Sequence, residues 1–354
     1  MSTAPTEATS ALPALAARWE HLRSARQGLR IRDAALQLGV SELELAALAV
    51  GGGTVRLAGS FRDMLRAVPT LGRVMALTRN EHCVHERKGV YQNVSFTGHV
   101  GLALGPDIDL RIFVGGWAHA LAVSEPGKEA PRRSLQFFDA AGTALHKIYL
   151  LPESDLAAFD GFVARFRAAD QSPGAHVEAW SPKPEPDAGT FDVGAFQADW
   201  DALQDTHDFV PLLRRHKVAR LRALRLAGIA RAVRLTEEAG RAVLERAAAS
   251  ALPIMVFVGN HGMIQIHTGP VKRTLATGPW FNVLDPDFNL HLRESAIAEA
   301  WLVRKPTRDG VVTSVELFEA AGGLIATYFG KRKPGQLEDP DWRALAEGLA
   351  RRES

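Results

Sequence analysis

This sequence of 354 residues lacks several features that would place it in a specialised class. It has one cysteine, Cys83, and therefore cannot form an internal disulfide. No apolar run approaches the roughly 20 residues of a membrane-spanning helix, and residues 1–7 lack the basic segment and apolar core of a secretory signal. These absences predict a cytoplasmic protein without a membrane span, which reaches a membrane only through a partner.

An excess of charge of one sign is also missing. The chain has 42 Lys plus Arg and 40 Asp plus Glu, a formal net charge of +2. Nearly cancelling charges do not favour a polyanion-binding surface, so nucleic acid is an unlikely partner by composition. With 46% hydrophobic residues, the chain is long and apolar enough for two domains with buried cores.

Short motifs with a defined chemical mechanism are absent as well. The chain contains no G-x-x-x-x-G-K-[ST], G-x-G-x-x-G, H-E-x-x-H or G-x-S-x-G. This argues against the usual nucleotide, zinc-protease and α/β-hydrolase sites, and no intrinsic flavin or nicotinamide site is expected. The run Gly51-Gly52-Gly53 does not lie between a strand and a helix, so it indicates a flexible turn rather than a phosphate site.

What the sequence does contain is an internal repeat. Residues 105–110 return as residues 285–290, and residues 134–142 return as residues 314–322, both at a spacing of 180 positions. The same spacing aligns Asn80 with Asn260 without a gap. A constant register of this length predicts an ancestral duplication that produced two copies of one domain.

A stretch rich in proline and glycine separates the copies. Its residues can continue neither a helix nor a central strand, which predicts a linker over residues 173–190. We therefore divide the chain into an N-terminal repeat, 1–172, the linker, and a C-terminal repeat, 191–354. In each repeat, helical spacing is followed by short runs rich in Val, Ile, Phe and Thr, and then by a final helix. The predicted helices cover residues 30–48, 155–168, 196–226 and 341–352, and two of the predicted strands cover residues 254–258 and 263–269.

Residues 31–45 resemble a helix-turn-helix, with Gly39 in the turn and Ser41 as a helix cap. A recognition helix needs cations and amides that face phosphates and base edges. Here the second helix carries Glu42 and Glu44 and has no Arg or Lys before Arg56. We therefore favour a structural pair of helices and keep a DNA-binding regulator as the alternative.

The densest group of candidate metal ligands is His82, Cys83 and His85. On a strand, Cys83 and His85 face the same side, but a complete site needs three or four ligands, and no further ligand is spaced to complete it. Ordinary strand residues are the favoured interpretation.

Several longer segments resemble the HemS/ChuS/PhuS family of cytoplasmic haemin-binding and haemin-degrading proteins, and the resemblance covers essentially the whole chain. The matching segments are Asp205-Thr206-His207-Asp208-Phe209 with residues 212–216, residues 79–81 with 84–86, 109–113, 254–260, 290–292, 294–301 and 304–307.

The resemblance implies an α+β fold in which a tandem duplication gives two repeats, each a large antiparallel β-sheet flanked by helices, with haem in a cleft between them. It implies that His207 is the axial ligand of the haem iron and that Arg111 approaches the porphyrin from the opposite side, both acting in catalysis if the protein degrades haem. The further cofactor-binding residues that it implies are Arg220, His291, Lys305 and Arg332.

The residues themselves bear on two of these roles. His207 precedes Pro211, which must interrupt or start a helix, so its imidazole is expected to project from a helix boundary. Arg111 shares a strand face with Asp109, which would make it half of a surface ion pair. The chain has Thr327 and Phe329 where some family members have glutamine and tyrosine, so their distal hydrogen bonds do not transfer.

The function implied is haem binding in iron acquisition, followed by trafficking of the haem or by its degradation with electrons from an external reductase. The expected partners are a haem uptake transporter or a downstream haem acceptor. The alternatives are a haem-responsive helix-turn-helix regulator and a storage or scavenging protein without turnover. Turnover, product, electron donor and oligomeric state do not follow from the sequence.

Overall fold

The computed structural model describes residues 6–26, 28–127, 129–179, 181, 191–332 and 335–350. Residues 182–190, half of the predicted linker, and residues 351–352 of the last predicted helix lie outside the described residues. The described α-helices are α1 (Thr6–Ala25), α2 (Ile31–Leu38), α3 (Glu42–Ala47), α4 (Phe61–Ala67), α5 (Leu156–Phe166), α6 (Val193–Asp201), α7 (Phe209–Arg215), α8 (Arg220–Leu226), α9 (Ala239–Ser250) and α10 (Pro340–Ala350).

The structure describes 18 β-strands. They are β1 (Thr54–Leu57), β2 (Arg73–Arg79), β3 (Cys83–Val90), β4 (Ser95–Thr97), β5 (Val100–Leu104), β6 (Asp109–Ile112), β7 (His119–Glu125), β8 (Arg132–Phe138), β9 (Ala144–Leu150), β10 (Ala232–Leu235), β11 (Ile254–Gly259), β12 (Met263–Gly269), β13 (Thr274–Thr277), β14 (Trp280–Leu284), β15 (Phe288–Arg293), β16 (Glu299–Thr307), β17 (Gly310–Phe318) and β18 (Leu324–Gly330).

The chain forms two compact units, and the first is built on a large antiparallel sheet. Unit 1 contains Met1–Leu77, Lys88–Ser181 and Asn260–Met263. Its strands pair in the order β1-β7-β8-β9-β2, and β4, β5 and β6 pair as a second ladder. Alternate residues of β7 point to opposite faces: Ala120 packs with α4 and α5, whereas Leu121 packs with α3. Helices therefore cover both faces of this sheet.

Unit 2 has the same organisation and contains Thr78–Arg87, Pro182–Gly259 and Ile264–Ser354. Its strands pair antiparallel in the order β10-β16-β17-β18-β11-β12, and β3, β15, β14 and β13 pair as a second ladder. One face of the six-stranded sheet packs against α9 and α10, and the other packs against α6, α7 and α8. The expected α+β class, with large antiparallel sheets and flanking helices, is confirmed.

The duplication is also visible in the bounds of the strands and in their pairing. Strand β18 begins and ends 180 residues after β9, and β14 does the same relative to β5. Both β8–β9 and β17–β18 contain a register shift, at Phe137/Phe138 and at Leu317/Phe318, which are again 180 positions apart. Equivalent irregularities are retained because a bulge sets the local twist and the aim of its side chains.

Two predicted helices are shorter than the sequence pattern suggested. The helix over residues 30–48 is two helices, because Gly39 at φ 67° ends α2 in the left-handed conformation. The helix over residues 196–226 is three helices and a 3₁₀ turn, and Lys217 at φ 49° marks one of the breaks. Helical spacing predicted helices over these residues but not the interruptions.

The helix-turn-helix pair of the sequence is present, but its second helix is buried. In α3, Glu42, Leu43 and Leu45 are all buried, and Glu42 pairs with the buried Lys147 of β9. A helix whose side chains fill a protein core cannot insert into a DNA groove. The structural interpretation of this pair is therefore correct, and the DNA-binding alternative has no support.

Candidate functional site

His207 lies on a short 3₁₀ helix, Thr206–Asp208, that leads directly into α7. Its side chain is 87% exposed. Asp205 caps this turn: its carboxylate accepts a hydrogen bond from the backbone N–H of His207 at 2.8 Å and lies 2.6 Å from Nδ1 of the same residue. With Nδ1–H donating to a carboxylate, the free lone pair of the imidazole is on Nε2, which can bind a metal.

Phe209, the first residue of α7, connects the His207 turn to a buried charged cluster. Its ring is 1% exposed and packs edge-on against Trp200 at 4.7 Å between centroids. The ammonium of Lys305 lies 4.5 Å from the ring centroid, and the guanidinium of Arg220 lies 5.3 Å from it. Cations at this distance from an aromatic face attract it electrostatically, so they hold the start of α7 in place.

Glu316 on β17 binds both cations. Its carboxylate accepts two hydrogen bonds from Arg220, each at 2.7 Å, one from Lys305 at 2.8 Å and one from the Ser314 hydroxyl at 3.1 Å. Glu316 is completely buried, the Lys305 side chain is 3% exposed, and the Arg220 side chain is 24% exposed. Of the two cations, Arg220 is therefore the one that a ligand can reach directly.

The charges in this cluster shift one another's ionisation. Burial lowers the pKa of Lys305 from 10.5 to about 8; the Glu316 carboxylate opposes this shift, and the nearby Arg220 adds to it. Burial would raise the pKa of Glu316, but the two cations outweigh it and bring that pKa well below its ordinary value. At neutral pH the cluster therefore holds two cations and one carboxylate, with one positive charge left over.

An aromatic surface continues from this cluster. Phe329 on β18 has its ring 5.9 Å from the Lys305 ammonium, and its neighbour Phe257 on β11 lies 5.1 Å from it between centroids, edge to face. Both rings are partly exposed. Thr327 pairs with Phe257 across the strands and is buried. The positions at which the sequence departs from some family members thus lie beside the charged cluster.

The other three candidate residues are placed elsewhere. Arg332 lies at the end of β18 and pairs with Asp309 at 3.5 Å. His291 on β15 belongs to the four-stranded ladder of unit 2, where its Nδ1 lies 2.6 Å from the side-chain oxygen of Asn282. Arg111 belongs to unit 1 and pairs with Asp109 on its own strand, as the shared strand face predicted. The structure therefore groups His207, Arg220 and Lys305 through Phe209, and the roles of all six residues stay predictions.

Cys83 and His85 lie on β3, and His82 directly precedes this strand. Among the residues that the structure describes, no cluster of three or more His, Cys, Asp or Glu is arranged to hold a metal ion. Cys83 and His85 are fully buried, and burial raises the pKa of the Cys83 thiol and lowers the pKa of His85. The interpretation as ordinary strand residues agrees with this burial.

Sequence reasoning missed two residues of the site, Asp205 and Glu316. A signal existed for each: Asp205 stands two positions before His207, the spacing of a turn cap, and Glu316 is an acidic residue within the apolar strand β17. The signal at Glu316 does not identify its partners, because Arg220 and Lys305 are 96 and 11 residues away from it in sequence.

Comparisons with known proteins agree on one group of relatives. A family model described as the haemin-degrading HemS.ChuX domain matches residues 39–166 and 217–349. The hemin transport protein HmuS of Yersinia pestis is 40% identical over 317 residues, which are 89% of this chain and 91% of HmuS. Among solved structures, the haem-bound form of PhuS, a heme-binding protein from Pseudomonas aeruginosa, is 49% identical with a TM-score of 0.92, covering 96% of this chain and 99% of PhuS.

A second solved structure is ChuS, described as a heme degrading enzyme of Escherichia coli O157:H7. It is 37% identical with a TM-score of 0.88, covering 94% of this chain and 98% of ChuS. In the described part of the chain, no helix has the length and apolarity needed to cross a bilayer.

Proposed function

Because this chain belongs to the haemin-degrading HemS.ChuX domain family, we propose that it binds haem through His207 and serves haem and iron acquisition. Its relatives carry names for transport, binding and degradation of haem. The residues of the His207 site fit the requirements of haem, which needs a neutral imidazole for the iron, apolar walls for the ring and cations for two propionates.

The observation that carries this proposal is the orientation of His207. The residue is exposed, yet its ring is fixed by Asp205 through Nδ1, so Nε2 is the atom available to the iron. The partly exposed rings of Phe257 and Phe329 offer an apolar surface for the porphyrin, and Arg220 offers a cation for a propionate.

Within this function we place haem trafficking ahead of degradation. The described site supplies a ligand, an aromatic surface and cations, all of which binding and release require. Degradation further requires polar groups on the distal side, where Thr327 and Phe329 replace the residues found in some relatives. We further propose that the protein works in the cytoplasm, with a haem uptake transporter as donor and a haem acceptor as recipient.

An absorbance titration with haemin, followed by ascorbate in the presence of catalase, tests the function. We expect a saturable one-to-one Soret band that persists under reductant. Decay of the band into bile-pigment products would show that the protein degrades haem. This result would contradict our proposal that it traffics haem. Absence of a saturable band would refute haem binding itself.

Replacement of the ligand is the direct test of His207. We expect His207→Ala to lower haem affinity by more than the roughly 10- to 100-fold that loss of an outer-shell partner typically causes, and to change the Soret band. His176→Ala is the control, because His176 is also exposed. Arg111→Ala and His291→Ala, measured in the same titration, test whether these residues contribute. An unchanged spectrum and affinity for His207→Ala would exclude it as the axial ligand.

A further inference from the structure

Glu316 is a buried carboxylate to which neither the sequence reasoning nor the proposed function assigned a role. It is completely buried on β17, in a strand whose residues Val315 and Leu317 belong to the apolar core. A buried carboxylate costs folding free energy unless charges and hydrogen bonds compensate for it. Glu316 has four such contacts, three of them with Arg220 and Lys305.

We propose that Glu316 is a positioning residue of the haem site, which holds Arg220 and Lys305 so that their cluster presents one uncompensated positive charge to a haem propionate. The proposal rests on the proposed function. It assigns Lys305 an indirect role: the Lys305 side chain is almost fully buried and acts through the charge of the cluster, whereas Arg220 is partly exposed and makes the direct contact.

The geometry supports a positioning role in two ways. The two parallel hydrogen bonds from Arg220 to Glu316 fix the plane of the guanidinium and therefore its exposed edge. Both cations also lie against Phe209, the residue two positions after His207. Glu316 thus fixes the guanidinium of Arg220 directly. Through the two cations and Phe209 it also fixes the turn that carries His207.

The charge of the cluster depends on the protonation of Lys305. The charged groups that face its ammonium are the Glu316 carboxylate on β17 and the Arg220 guanidinium on α8; the other neighbours are the rings of Phe209 on α7 and Phe329 on β18. When Lys305 loses its proton, Arg220 and Glu316 cancel each other and no positive charge is left for a propionate. Because the pKa of Lys305 is about 8, this loss begins just above neutral pH.

A buried ion pair in the other repeat offers a matched control. There Lys147 on β9 pairs with Glu42 on α3, so the sheet supplies the cation and the helix supplies the carboxylate. Gln136 stands 180 positions before Glu316 and pairs across the strands with Lys147. Glu42→Gln therefore removes a buried carboxylate of the same kind from a pair that has no part in the proposed site.

The experiment measures haem affinity of the full chain from pH 6 to pH 9.5. For the wild-type protein we expect affinity to fall about tenfold between pH 7 and pH 9, the fall that loss of one required proton near pH 8 produces. In Glu316→Gln, Arg220 keeps an uncompensated positive charge whether or not Lys305 is protonated, so the fall between pH 7 and pH 9 should disappear. Loss of the two hydrogen bonds that orient the guanidinium should lower affinity by about tenfold at every pH. Glu42→Gln should keep the wild-type profile, and Glu316→Asp should restore most of the affinity at pH 7.

Two further measurements separate a positioning role from a structural one. Haemin dimethyl ester, which has no propionate charge, should bind the wild-type protein without the fall above pH 7. Carbon-13 NMR of lysine side chains in the haem-free protein, assigned with Lys305→Arg, should show Lys305 titrating near pH 8 and at lower pH in Glu316→Asp or Glu316→Gln. The NMR measurement keeps the proposal testable in Glu316→Asp if Glu316→Gln does not fold.

The outcomes distinguish this proposal from the proposed function. If the wild-type protein binds haem and Glu316→Gln shows the same pH profile as Glu42→Gln, the positioning role is wrong and haem binding stands. The role is also wrong if haemin dimethyl ester shows the same fall as haemin. If the wild-type protein does not bind haem at all, the proposed function fails, and the NMR titration alone reports whether Glu316 controls Lys305.

Discussion

Asp205 has two contacts with the residue two positions after it, and each has a different consequence. Its bond to the backbone N–H of His207 caps the 3₁₀ turn, whereas its contact with Nδ1 sets which ring nitrogen is free. The bond to the backbone N–H, followed by the contact with the ring, lowers the pKa of the Asp205 carboxylate, so Asp205 is charged at neutral pH despite some burial.

We expect Asp205→Ala to lower haem affinity by about tenfold, the lower end of the range for outer-shell partners, because Asp205 is itself half exposed. The measurement is the haemin titration. Asp192→Ala is the control: Asp192 caps α6 through the backbone N–H of Ala195 and has no part in the site. Equal affinities of the two variants would mean that Asp205 serves only as a cap.

At the scale of elements, each unit buries an ion pair between a helix and its sheet, and the two pairs have their charges exchanged. Helices α3 and α8 each place one charged side chain against a buried charge on the sheet of their own unit, but α3 supplies the acid and α8 the base. The two pairs differ further because Glu316 also binds Lys305, whereas unit 1 has Gln136 at the equivalent position. Duplicated elements can thus share a fold while only one copy provides the cationic cluster.

Helix α3 has six residues and depends on its cap. The Ser41 hydroxyl accepts a hydrogen bond from the backbone N–H of Glu44 at 3.2 Å, and the Glu44 carboxylate accepts one from the backbone N–H of Ser41 at 2.7 Å. We expect Ser41→Ala to lower the free energy of unfolding by about 1 kcal/mol. Urea denaturation measures this change, and Ser95→Ala, at an exposed strand position, should change it by less than about 0.5 kcal/mol. An equal effect of the two would show that the cap does not stabilise α3.

At the scale of the whole molecule, buried histidines make stability depend on pH. The ring of His267 stacks on Phe288 at 3.7 Å between centroids, and His85 lies 5.0 Å from the same ring. Burial lowers the pKa of His267 and of His146 from 6.5 to about 3 and lowers the pKa of His85 well below 6.5. The unfolded chain therefore binds more protons than the folded protein below pH 6.5, and stability decreases as the pH falls.

His267 and His146 should each lower the free energy of unfolding by about 1.4 kcal/mol per pH unit as the pH falls from about 6 to about 3. Urea denaturation at pH 7 and pH 5 measures this loss for the wild-type protein. We expect a smaller loss in His267→Gln, which does not titrate, and the wild-type loss in His176→Gln, which replaces an exposed histidine. If His267→Gln loses as much stability as the wild-type protein, His267 is not the source of the pH dependence.

The sequence by itself determined the duplication, the order of elements and the histidine at a helix boundary. Each is a local or periodic property: a register of 180 residues, runs rich in Val, Ile, Phe and Thr, and a proline four positions after His207. The helix interruptions at Gly39 and Lys217 were not determined in this way, because helical spacing records which face is apolar and not where the backbone turns.

Only the tertiary structure decided which charges meet. Lys305 and Arg220 are unremarkable in sequence, and Glu316 is one acidic residue among 40 Asp plus Glu; pairing across the sheet and the packing of α8 bring the three together. Burial then shifts their ionisation, and burial is a property of the folded chain alone. The structure likewise decided that α3 fills a core, because exposure depends on what packs against a helix and not on its own residues.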